Sequence, residues 1–238
     1  MVADIEKALK YPLNFKPLFI LGMIFVIALI VVIVPLFFLD MKVEKGSTNT
    51  EIFTPFMIIY ILLFLSVMVI IPILLSGYMV SVSRSIIAGN LEKAPELTGI
   101  RSMCVDGLKF AVIGFAYAIP PIIMALLAIV FFNIWGLFFI FSLIPLFYVA
   151  QLAGAHLAYT NSLRKALDIP YIYTMVFSHL KGFSLSLLFY FVASLVFSVA
   201  GMLIVTYPFI IVASYVAGQY ILTIFYMEST GLIEESKF

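Results

Sequence analysis

Four long stretches of this chain carry no Asp, Glu, Lys or Arg: 17–39, 52–83, 110–163 and 182–227. An α-helix rises about 1.5 Å per residue, so roughly 20 residues cross the ~30 Å hydrocarbon layer of a bilayer. The first two stretches are each long enough for one crossing. The third would form a rod of about 81 Å, which no tilt fits into a membrane, so it must turn back on itself, as must the fourth. Asn133, Trp135 and Gly136 supply turn chemistry in the third stretch, and Thr206-Tyr207-Pro208 supplies it in the fourth. The composition agrees: 65% apolar residues, 11% charged and a mean hydropathy of +1.23 exclude an ordinary water-soluble domain.

The reading is an all-α, polytopic membrane bundle in a single domain, 1–238, with six transmembrane helices at 18–39, 54–82, 108–131, 136–161, 183–205 and 208–228. Continuous apolar runs do not alternate as the strands of a membrane β-barrel do. Pro35, Pro72, Pro120, Pro121 and Pro145 fall inside four of these helices, where they should loosen the hydrogen-bond ladder. The start, MVADIEKALKYPLNFK, is mixed in charge and a poor secretory signal, so the first apolar segment is expected to stay as an anchor.

Charge sets the orientation. Lys7, Lys10, Lys16, Arg84, Lys93, Arg101, Lys109, Arg164, Lys165, Lys181 and Lys237 fall on one side, against Lys42 and Lys45 on the other. By the positive-inside bias both termini are cytoplasmic, in a multi-pass protein of the cytoplasmic membrane. On that side lie an interfacial segment, 1–16, with Val2, Ile5, Ala8 and Leu9 at helical spacing before Pro12, and a polar loop, 83–107. A third piece, 161–181, runs from Arg164, Lys165 and Asp168 into aromatic residues, Tyr171 to Phe177, suited to the headgroup zone. The formal charge of +1 gives no footprint for nucleic acid. A single cysteine, Cys104, excludes a disulfide-stapled ectodomain.

Even-numbered helices approach the cytoplasm through similar text: GYMVSVSRSI from Gly77, GAHLAYTNSL from Gly154 and GQYILTIFYM from Gly218. Three hairpins of one type would give this pattern. With or without a repeat, the three glycines, each preceded by Ser or Ala, let helix backbones approach closely. The text GYMVSVSRSIIAGNLEKAPEL from Gly77, with VDGLKFAVIGFAYAIPP from Val105, resembles a family of archaeal membrane proteins catalogued as domain of unknown function 4013. The resemblance extends over most of the chain, to ALKYP from Ala8 and to Gly218-Gln219. Typical relatives carry tryptophan and several acids before the Asp-Gly pair, where this chain reads LTGIRSM. More distantly, the pattern is similar to membrane regions fused to some glycerophosphodiester phosphodiesterases. The resemblance implies a fold and no activity.

Catalytic signals are thin. His156, His179 and Asp106 would make a three-ligand metal set only if the hairpins converged, and no H-E-x-x-H or C-x-x-C text accompanies them. Cys104 has basic neighbours and no placed base, and no Gly-rich phosphate loop occurs. The reading is therefore non-enzymatic, with no cofactor and no metal. Nor does any Asp, Glu, Lys or Arg lie inside the four stretches, which disfavours ion-coupled transport. Gln151, His156 and Gln219 are the notable intramembrane polar residues; such glutamines more often tie helices together, at about 0.6–2 kcal/mol, than select a substrate.

The cytoplasmic rim is the better candidate: Arg84, Arg101, Asp106, Lys109, Arg164, Lys165 and Lys181 are placed to engage lipid headgroups or a membrane or cytoplasmic protein partner. Asp106 stands within helical reach of Lys109 and can pair with it or with Arg84. The alternative is a transporter or permease component for a small or amphiphilic molecule, with Gln151, Gln219 and Tyr220 lining a path. A cavity open to one face and lined by the glutamines favours that alternative; a closed apolar bundle under a basic rim favours interaction.

Overall fold

The computed structural model describes residues 5–13, 15–44, 50–97, 99–132, 148–201 and 207–232, and among them every regular element is helical. The order is α1 (Ile5–Lys10), a 3-10 turn (Tyr11–Leu13), α2 (Phe15–Glu44), α3 (Thr50–Ile87), α4 (Ile100–Phe132), α5 (Val149–Thr160), α6 (Leu163–Ala166), α7 (Ile169–Ser178), α8 (Leu180–Ala200) and α9 (Tyr207–Ser229). Among the described residues four segments are long and apolar enough to cross a bilayer: Met57–Ile87, Ile100–Leu127, Leu180–Val199 and Tyr207–Ser229. The pair Ile5–Leu13 and Lys16–Val32, bent by 69°, would make a fifth if taken as one span. Of the helix expected over 136–161, only the part from 148 lies within the described residues, and Lys45, Asn133, Trp135, Gly136, Pro145, Thr206 and Lys237 lie outside them.

Helices α2, α3 and α4 continue through Pro35, Pro72, Pro120 and Pro121. Helices α3 and α4 both extend into the polar segment expected over 83–107, since α3 runs to Ile87 and α4 starts at Ile100. Charge ends a membrane span but not a helix, and Arg84, Arg101 and Asp106 all sit on helical turns beyond the apolar runs.

The last helix is the centre of the bundle. Every residue of α9 from Val216 to Met227 is buried, with α2, α3, α5, α8 and the N-terminal turn packed around it, which suits a mostly apolar helix whose few polar groups find partners inside the bundle. In contrast, Ile58, Leu62, Leu65 and Val69 on α3 are exposed, as a lipid-facing surface requires. Glycine sets the tightest contacts. A Cβ on Gly77 would lie 1.8 Å from the Met103 carbonyl oxygen, and one on Gly107 would lie 1.9 Å from that of Ile73, so α3 and α4 meet backbone to backbone. Gly154 lies against the Phe110 ring and Gly218 against the Tyr190 ring.

The end of the bundle that carries most of the basic residues is capped. Tyr11 is fully buried, its ring 4.7 Å from Tyr220, and its carbonyl accepts from Ala94 N at 3.0 Å. Tyr78 Oη donates to the Pro95 carbonyl at 2.9 Å. These contacts fold the N-terminal turn and the 88–97 connection over the bundle.

Candidate functional site

At this basic end, two cations converge on one carboxylate. Arg84, on the last turn of α3, donates through Nη1 to Asp106 Oδ2 at 2.5 Å and through Nη2 to Asn161 Oδ1 at 3.0 Å. Lys109 Nζ stands 3.9 Å from Asp106 Oδ1, one turn further along α4. Asp106 is only 5% exposed, so its charge is held by partners rather than by water. Asn161 is in place because it ends α5 in the left-handed region, at φ 51°, a position asparagine tolerates better than most residues. The expected pairing of Asp106 thus involves both cations, with Arg84 the nearer.

The other rim cations do not join this cluster. Arg101 is exposed on the first turn of α4, Arg164 and Lys165 are exposed on α6, and Lys181 is exposed at the start of α8. Between the last three runs α7, which has local reasons to form: Asp168 Oδ1 accepts from Tyr171 N at 3.2 Å as its N-cap, and Pro170 sits in its first turn. One face of α7, Ile172, Met175 and Val176, is buried in the bundle, and Tyr173 stacks on Tyr117 with centroids 6.1 Å apart. Burial raises the Tyr173 hydroxyl above its ordinary pKa, so it stays protonated. The other face shows Tyr171 at 45% and Phe177 at 62% exposure.

The histidines do not meet. His156 Nδ1 hydrogen-bonds Tyr226 Oη at 2.8 Å and packs beside Tyr171, whereas His179 Nδ1 donates to the Met175 carbonyl at 3.1 Å. Among the described residues no group of three His, Cys, Asp or Glu side chains gathers to hold a metal ion.

Deeper in the bundle runs a polar seam. Gln219 Nε2 donates to Ser83 Oγ at 2.8 Å and lies 3.4 Å from the Gln151 carbonyl oxygen. Ser83 Oγ is 2.9 Å from Thr223 Oγ1, which donates to the Gln219 carbonyl at 2.7 Å. Next to the seam a cavity of about 470 Å³ opens among α2, α3 and α9, with Gln151, Gln219, Ser76 and Tyr215 as its polar lining. Tyr220, expected on the same path, is not there; one residue on from Gln219 the helix turns its ring toward Tyr11. Tyr215, one turn earlier on α9, takes that place.

The model of a family described as protein of unknown function, DUF4013, matches residues 61–206, more than half of the chain. The chain belongs to this family. No curated protein and no solved structure matches it. The DUF4013 match contains Arg84, Asp106, Lys109, Asn161 and α7, and ends before α9, so the carboxylate cluster lies within it while Gln219 lies beyond it. Sequence reasoning missed Asn161, Ser83, Thr223 and Tyr11. The one signal available for Asn161 in this DUF4013 chain is its type, an asparagine just after an apolar helix and before Ser162-Leu163.

Proposed function

We propose that this membrane protein of the DUF4013 family is non-enzymatic and acts at its cytoplasmic face, where exposed cations and α7 lie on anionic lipid headgroups or on a partner that presents similar charge. The proposal keeps six crossings with both termini inside, since the uncharged run 110–163 is too long for one. The observation that carries it is α7. Its inner face is packed on the bundle, so Phe177 is held outward and Tyr171, its ring beside His156, is left half-exposed at the edge, flanked by the exposed Arg164, Lys165 and Lys181. Aromatic side chains with flanking cations are the chemistry of a headgroup seat, at roughly 1 kcal/mol per cation. Arg84 and Lys109 contribute less, because Asp106 already engages both.

The test is retention of an anionic phospholipid, phosphatidylglycerol, by the purified protein in native mass spectrometry. Replacing Arg164, Lys165 and Lys181 together with Gln should cut retention more than tenfold at low salt, and retention equal to wild type would sink the proposal. The second reading, a transporter or permease component, is favoured by the cavity with Gln151 and Gln219 on its wall. Beyond Gln219, however, Ser83, Thr223, Tyr78 and Tyr11 are all buried, so the described helices form a recess closed toward the basic end rather than a through-path.

A further inference from the structure

The recess has a definite chemical character. Phe25, Ala28, Ile71, Leu75 and Phe110 line it, and none of its lining residues is Asp, Glu, Lys or Arg. A charged head buried there would meet no counter-charge, at a cost of several kcal/mol. The volume of about 470 Å³ is that of a site for one small ligand. Among its lining residues Met68 is 54% exposed, and Val69 and Ile70 beside it on α3 are exposed as well. The mouth therefore opens sideways at the middle of an apolar span, where the surroundings are hydrocarbon.

Of the four polar lining residues, Gln219 is the most deeply buried. Gln219 is 2% exposed, and its Nε2 faces Ser83 Oγ and the Gln151 carbonyl. Nothing among the described residues donates to its Oε1, which leaves an amide oxygen able to accept a hydrogen bond at a cavity wall.

We propose that the recess is a binding site for one uncharged, hydroxyl-bearing amphiphile, a long-chain alcohol taken from the bilayer, whose hydroxyl donates to Gln219 Oε1 while its chain fills the apolar remainder. The site stands apart from the rim reading, since the rim cations are not among its lining residues.

The test uses the full chain in nanodiscs and three diazirine-bearing probes of equal chain length: hexadecanol, palmitate and hexadecane. After illumination, peptide mapping should place the alcohol on α2 and α3 lining residues, with labelling at least severalfold above that by palmitate or hexadecane. Gln219→Leu should lower alcohol labelling about two- to tenfold, the worth of one hydrogen bond, and leave hexadecane labelling unchanged. Ala28→Phe, which fills the recess without touching the polar seam, should abolish recess labelling by all three probes and serves as the deciding variant if Gln219→Leu does not fold. Equal labelling by alcohol and alkane, or undiminished labelling in Ala28→Phe, overturns the proposal. The Arg164, Lys165 and Lys181 variant should label as wild type does, so failure at the rim and failure in the recess are separately visible.

Discussion

A hydrogen atom in place of a methyl group decides how close α3 and α4 come. Gly77 and Gly107 place each helix against carbonyls of the other, and a Cβ at Gly77 would lie 1.8 Å from the Met103 oxygen. Gly77→Ala should therefore destabilise the detergent-solubilised protein by about 1–3 kcal/mol, since backbone cannot move aside as a side-chain tip can. Gly114, on the same α4 with no atom within 4 Å of an added Cβ, should respond with the opposite sign, Gly114→Ala gaining about 0.5–1 kcal/mol from helix propensity. Thermal unfolding of the two variants against wild type checks both. A loss at both positions would mean that glycine is needed for something other than close approach. Gly77, Gly154 and Gly218 were legible as contact points because small residues stand out in apolar text. The Ser83, Thr223 and Gln219 seam was not, because a polar residue inside an apolar run does not say which neighbouring helix it faces.

At the scale of elements, the cluster on Asp106 joins the end of α3, the first part of α4 and the end of α5. Removing one member leaves the others short of a partner in a place where water reaches Asp106 poorly. Arg84→Gln should cost about 1–3 kcal/mol, discounted because the Arg84 side chain is itself 35% exposed. The double variant Arg84→Gln, Asp106→Asn should lose clearly less than the sum of the two single variants. Denaturant titrations of the four proteins close the cycle, and strict additivity would show that the two side chains touch without coupling. The pairing of Asp106 could be foreseen, because sequence spacing puts Lys109 one turn away and topology brings Arg84 to the same side. The contribution of Asn161 depends on a left-handed helix end more than fifty residues later, which no local pattern joins to Arg84. Helix ends and span ends differ for a related reason: hydropathy reports where hydrocarbon stops, while α3 and α4 keep their backbone hydrogen bonds for one or two further turns in the polar zone.

For the whole molecule, long uncharged runs made the fold class legible, because apolar helices in lipid must satisfy every backbone group internally. Which helix becomes the centre was not legible: α3 and α9 are both long and mostly apolar, yet α3 shows much of its length to the outside and α9 almost none. The difference arises from α2, α3, α5 and α8 all choosing α9 as neighbour, a tertiary choice that composition does not encode. The proposed function requires hydrocarbon around these helices and a basic end that faces the cytoplasm. The most direct measurement is labelling of single cysteines, Ser47→Cys and Lys93→Cys, each in a Cys104→Ser background, by a membrane-impermeant maleimide on intact cells. Reaction is expected at position 47 from outside and at position 93 only after the cells are opened. Reaction at 93 in intact cells with 47 protected would contradict it.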